Sequence, residues 1–313
     1  MLSRVASHLY WLSRYLERAE NMARILDVGQ SLALMSGRSS DLEMVREPLV
    51  ITDTLKDFEE TAMPATPDNI ARFLAWDRKL SSSIVNSIEA SRENARAVRG
   101  SITSEMWENI NDTWLQLEAR RRSRGELADT EFFDWVKERS HMFRGVSFAT
   151  IRRDQPYQFI RLGTYLERAD NTARILSVKQ ADEADEDGQV QADALGDYYR
   201  LSAVLRSVSS LESYRDTYRD TIDPVRVAEL LIFSPQLPRS LRFCFDEIDR
   251  ILRELPQQPG RQARLLAATI HVQLMHGTIE QIYDIGLPTF LDRFVADAIR
   301  FGEAVSNAYL ELK

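Results

Sequence analysis

The chain has 313 residues, 44% of them hydrophobic and 28% charged, the balance of a folded globular protein with a sizeable core. A net charge of -8 argues against a nucleic-acid partner, because phosphate binding calls for a basic surface, and a single cysteine excludes internal disulfides and cysteine-based metal sites. No run of eighteen apolar residues is present, so no membrane span is expected, and the lone thiol fits a reducing cytoplasm.

Apolar residues recur at three- and four-residue spacing along most of the chain, and no strand-like alternation is convincing anywhere. The spacing predicts helices over 1–35, 43–60, 67–79, 82–99, 103–122, 130–149, 155–181, 192–216, 223–233, 238–254, 260–281 and 287–311. The opening MLSRVASHLYWLSRY carries Arg and Ser and no acid before Glu17, which superficially resembles a transit peptide. It runs without a break into a repeated helical motif, so it reads as core structure. Pro67 and Pro238 stand where a first helical turn tolerates proline. The basic run RRRSRG (120–125) reads as a helix end, where cations suit the helix dipole.

The chain says one thing twice. Residues 12–28 read LSRYLERAENMARILDV and residues 162–178 read LGTYLERADNTARILSV, identical at twelve of seventeen positions at an offset of 150. Weaker matches follow in the same order. FLAWDRKLSSSI (73–84) aligns with LLIFSPQLPRSL (230–241), and FFDWV (132–136) with FLDRF (290–294), at offsets of 157 and 158. The simplest account is an all-α, internally duplicated helical bundle. Two related halves, 1–150 and 151–313, pack around a pseudo-two-fold axis as one compact domain. The acidic stretch ADEADEDGQVQAD (181–193) reads as a solvated or mobile loop.

On a helical wheel the apolar face of residues 12–28 centres near Ala19. Glu17, Asn21 and Arg24 cluster on the opposite side, and Arg18 lies on a flank. Glu167, Asn171, Arg174 and Arg168 repeat this arrangement, and Glu20 and Asp170 keep a carboxylate at one more matching position. A third segment, SRENARAVRG (91–100), offers Arg92, Glu93, Asn94 and Arg96 in compressed spacing. Arg supplies a rigid donor fork, Glu accepts it, and Asn does both. Three uses are open. One is a buried network between the halves, in which Glu17 pairs with Arg174 and Glu167 with Arg24. Another is a solvated salt-bridged face. The last is a site where Arg holds a carboxylate or phosphate and Glu17 or Glu167 moves a proton.

Other chemistry is thin. His271 and His276 are five apart, which is poor metal spacing, and no zinc or nucleotide-loop motif is present, so no metal site is assigned. Cys244, in the apolar run LRFCFDEI, reads as a buried small hydrophobe, and Ser240 as a helix-start residue.

YLERAENMARIL and YLERADNTARIL, with SRENARAVRG, SEMWENIN and SYRDTYRDTIDPVRVAELLIFSPQLPRS, resemble the bacterial alpha-E family across nearly the whole chain. The resemblance implies that Glu17–Arg18 and Glu167–Arg168 are the family's ER pairs. It also implies a setting beside a circularly permuted ATP-grasp protein, with transglutaminase-like or proteasome-related proteins as further neighbours. That company points to ATP-dependent amide-bond formation, with ATP and Mg on the partner and no cofactor in this chain. The expected role is an accessory or co-catalytic subunit that binds a carboxylate- or amine-bearing substrate, or the partner, through its Glu/Arg/Asn clusters. A stand-alone aminoacyl- or peptidyl-transferring enzyme and a structural scaffold are the rival readings.

Overall fold

A computed structural model describes residues 1–35, 42–180 and 194–311; the acidic stretch 181–193 lies outside the described residues. Among the described residues all regular structure is helical. In chain order the helices are α1 (Ser3–Met35), α2 (Leu42–Ile51), α3 (Leu55–Glu59), α4 (Pro67–Trp76), α5 (Ile84–Ala97), α6 (Ser104–Arg124) and α7 (Thr130–Thr150). They continue with α8 (Gln155–Gln180), α9 (Ala194–Ser207), α10 (Leu211–Tyr218), α11 (Pro224–Phe233), α12 (Leu241–Glu254), α13 (Arg261–His276), α14 (Ile279–Ile285) and α15 (Leu287–Val305), closed by a π-helical turn, Ser306–Leu310.

Local chemistry sets many of these starts. Thr66, Ser83, Thr103, Asp129, Asp223 and Ser240 each accept the backbone N–H three residues on, satisfying a donor the first turn leaves open. Pro67 and Pro224 occupy first-turn positions that need no N–H. Ser240, not Pro238, opens α12.

Three expected helices are broken. The one over 43–60 becomes α2 and α3, parted at Asp53 (φ 55°), and the one over 192–216 becomes α9 and α10, parted at Ser209 (φ 52°). Both residues take the left-handed conformation, which an α-helix cannot continue through. The third, over 260–281, breaks at Gly277, where a β-carbon would stand 2.6 Å from the Gln273 carbonyl oxygen. Periodicity alone does not register such single-residue turns.

α1 is the central element. It packs against α8, α5 and α7, while α8 also packs against α12 and α15. Two apolar clusters meet along α1: one takes Leu9, Leu12 and Leu16, the other Ala19, Met22, Ala23 and Leu26. The α1–α8 crossing is tight. A β-carbon on Gly163 would fall 2.3 Å from both the Ser13 hydroxyl and the Tyr10 carbonyl oxygen. That approach brings the polar ridges of both helices into the interior. Glu17, Glu20 and Asn21 are buried, so the face opposite Ala19 meets protein and not solvent.

Candidate functional site

The Glu-Arg dipeptides of α1 and α8 engage each other reciprocally. Glu17 accepts Nε and Nη2 of Arg168 at 2.8 and 3.1 Å, and Glu167 accepts Nε and Nη2 of Arg18 at 2.6 and 3.0 Å. Both are two-point fork contacts, the strongest neutral-pH geometry available to these groups. Arg14 adds a second cation to Glu167 at 2.7 Å. Glu17 gains Arg144 at 2.8 Å and Arg239 at 3.2 Å.

Glu20 extends the cluster. It binds Arg24 at 2.8 Å, Arg144 at 2.5 Å, Arg239 at 2.6 Å and the Ser140 hydroxyl at 2.7 Å. Arg239 also donates to the Asn21 side-chain oxygen at 2.8 Å, which orients that amide. The Nδ2 atoms of Asn21 and Asn171 are buried without a hydrogen-bond partner among the described residues. Around Glu17 and Glu20 the tally is four guanidinium groups (Arg24, Arg144, Arg168, Arg239) against two carboxylates.

The titration behaviour follows. Burial pushes the Glu167 carboxyl up, but Arg18 and Arg14 outweigh it and hold the group at about 2. Glu17 and Glu20 are likewise buried yet held below the usual carboxylate range, Glu17 chiefly by Arg168 and Glu20 by the His141 ring, whose Nε2 lies 3.4 Å from its carboxylate, and by Arg239. Arg239 moves the opposite way: burial, aided by crowding from Arg168 and Arg24, draws it down to about 10 despite both glutamates. A carboxylate stabilised as Glu167 is accepts protons poorly near neutrality. Burial pushes the Cys244 thiol up to about 12, and Cys244 is fully buried, as its apolar surroundings in sequence suggest.

The structure brings Glu17, Arg18, Glu20, Asn21, Arg24, Glu167 and Arg168 together around the α1–α8 contact, with a pairing different from the expected one. Arg24 binds Glu20 and Arg174 binds Asp170, each four residues back on its own helix, instead of reaching Glu167 and Glu17. The reason is axial distance. The fork contacts lie at residues 17–18 and 167–168, and positions six residues further on are roughly 9 Å along each helix at 1.5 Å per residue. Arg92, Glu93, Asn94 and Arg96 form a different assembly on α5. Arg92 binds Asn111 and Glu93, Arg96 binds Glu93, and Asn94 meets His8 of α1 at 2.8 Å. Arg14, Ser140, Arg144 and Arg239 are partners the sequence reading missed. None recurs at the repeat offset, and Arg239 had only its place in the segment SPQLPRS to mark it.

A cavity of about 230 Å³ opens between α1, α7 and α8. Glu17, Arg144 and Arg168 line it from the network side, and Tyr157, Arg161 and Tyr165 from along α8. Arg161 is itself held by Glu247.

Fold and site together define a class: an all-helical domain whose central helices are joined by buried, reciprocal Glu–Arg pairs. A family model described as a predicted alpha-helical domain with a conserved ER motif, Alpha-E, matches residues 1–310, and the chain belongs to that family. It is also similar to uncharacterized proteins of Mycobacterium bovis and of two strains of Mycobacterium tuberculosis, each 23% identical over 275 residues. Those matches cover 82% of this chain, which spans about 30% of the length of the relatives. No solved structure matches the chain.

Proposed function

We propose that this chain is an accessory or co-catalytic subunit of an ATP-grasp-linked system that forms peptide or amide bonds, and that it holds a carboxylate-bearing substrate. The observation that carries the substrate role is the charge imbalance in the cavity lining, where Arg144, Arg161 and Arg168 stand with the carboxylate of Glu17. An amine is the weaker candidate, because Glu17 and Glu167 are each already engaged by at least two arginines. The ligase setting is supported by the resemblance of the two YLERA-containing segments to the alpha-E family. The circularly permuted ATP-grasp partner would bring ATP and Mg, and the complex would work in the bacterial cytoplasm.

Within that role Glu17–Arg18 and Glu167–Arg168 are the ER pairs, and they lock two duplicated halves, 1–150 and 151–313, about a pseudo-two-fold axis. Reciprocity of the fork contacts supports this, as does a common offset of 157 between the starts of α4 and α11, α5 and α12, α6 and α13, and α7 and α15. A scaffold role is the second reading, favoured by the saturation of both ER glutamates. Base catalysis by either glutamate draws no support from the low value of Glu167.

The test is coexpression with a circularly permuted ATP-grasp protein from the same genome, followed by copurification and ADP release over an amino-acid panel. A stable complex with stimulated ADP release is the expected outcome. If the two chains neither copurify nor alter ATP turnover, the ligase reading fails.

A further inference from the structure

The cavity between α1, α7 and α8 has features that the packing of helices does not require. Its volume of about 230 Å³ exceeds the roughly 150 Å³ that suffices to bind a benzene-sized guest in an apolar core. Its interior is divided by chemistry. Leu16, Phe143 and Ile160 supply apolar surface, and Tyr157 and Tyr165 supply aromatic surface. These two rings stand in a ladder of cations: Arg153 and Arg161 lie 4.1 and 5.4 Å from the Tyr157 ring, and Arg161 and Arg168 each 5.6 Å from the Tyr165 ring.

Arg144 is the distinctive group. Its contacts to Glu17, Glu20 and Ser140 are all made by Nη1, so this half-buried guanidinium, which lines the cavity, keeps Nε and Nη2 without a hydrogen-bond partner among the described residues.

We infer that this cavity binds a small carboxylate with an apolar or aromatic body, such as an N-acylated amino acid or the C-terminal residue of a short peptide. The Nε and Nη2 edge of Arg144 takes the carboxylate, and the body lies against Tyr157 and Tyr165. This deepens the substrate-holding role proposed above and rests on that reading for its place in a ligase system. The excess of guanidinium over carboxylate favours an anion. The apolar wall favours an anion with a body over inorganic phosphate, which has nothing to lay against it.

Isothermal titration calorimetry on the full isolated chain tests this with three probes: N-acetyl-phenylalanine, N-acetyl-phenylalaninamide and inorganic phosphate. The acid is expected to bind at least about tenfold more tightly than the amide, the scale of one charge-assisted contact. Phosphate is expected not to displace it. Arg144→Gln should weaken the acid about tenfold and leave the amide unchanged, with melting temperature recorded alongside. Should Arg144→Gln misfold, Tyr157→Leu keeps the question open to decision, because it removes the phenol ring and keeps every ion pair around Glu17. Equal affinity for acid and amide, displacement by phosphate, unaltered affinity in a folded variant, or no binding at millimolar concentration each overturns the inference. The ATP-grasp partner is absent from this experiment, so failure here and failure of the ligase reading are separate results.

Discussion

A buried carboxylate without a counter-charge protonates instead of remaining ionised. Glu167 stays ionised because Arg14 and Arg18 reach it at 2.7 and 2.6 Å. Replacing it strands both guanidinium groups, so Glu167→Gln is expected to cost about 3–5 kcal/mol, read from the urea midpoint. The sign of the pH dependence follows from its value of about 2 in the fold against an ordinary 4.5. Its contribution is complete above pH 4.5 and is lost as pH falls toward 2, because the unfolded chain takes up the proton first. The melting temperature of the native chain should therefore fall across that window, and the Gln variant should fall less steeply. A slope identical in both proteins would remove Glu167 from the acid response. Glu17 and Glu20, held low by the same mechanism, keep part of the slope in the variant. The repeated letters announce that Glu and Arg matter together. They do not say that Glu17 meets Arg168 and not Arg174, because the pairing depends on where two helices cross.

Most helices are legible in the sequence because their determinants are local. Caps such as Thr66, Ser83 and Asp223, and the three-and-four spacing of apolar residues, operate within a few residues. The interruptions at Asp53 and Ser209 are not legible, since neither residue type demands a left-handed turn. Gly163 is a case where context reverses intrinsic preference. Alanine is the better helix former by about 1 kcal/mol, yet its β-carbon would strike the Tyr10 carbonyl oxygen, which cannot rotate away. Gly163→Ala is expected to destabilise by about 1–3 kcal/mol in urea unfolding. A stabilised variant would mean that α1 and α8 can separate freely, and would undermine the tight crossing on which the fork contacts depend.

At the scale of the whole molecule, α1 belongs to both cores. Leu9, Leu12 and Leu16 join the cluster built on α8, α12 and α15, and Ala19, Met22 and Leu26 the one built on α4, α5 and α7. A fragment of residues 1–150 would expose the first set and leave Glu17 without Arg168 and Arg239. That fragment is expected to show no cooperative thermal transition by circular dichroism, whereas the full chain shows one. A cooperative transition in the fragment would establish independent domains and remove the interlock from the account.

The sequence by itself determined the helical class, most helix positions and the residue types of the central ridge, because helix periodicity and capping are decided by neighbours within about four residues. Only the tertiary structure decided that this ridge is interior, that Arg144 and Arg239 join it, and that cations outnumber carboxylates beside a cavity. Those outcomes depend on side chains more than a hundred residues apart meeting at one crossing, where burial makes every charge answer to its nearest partner.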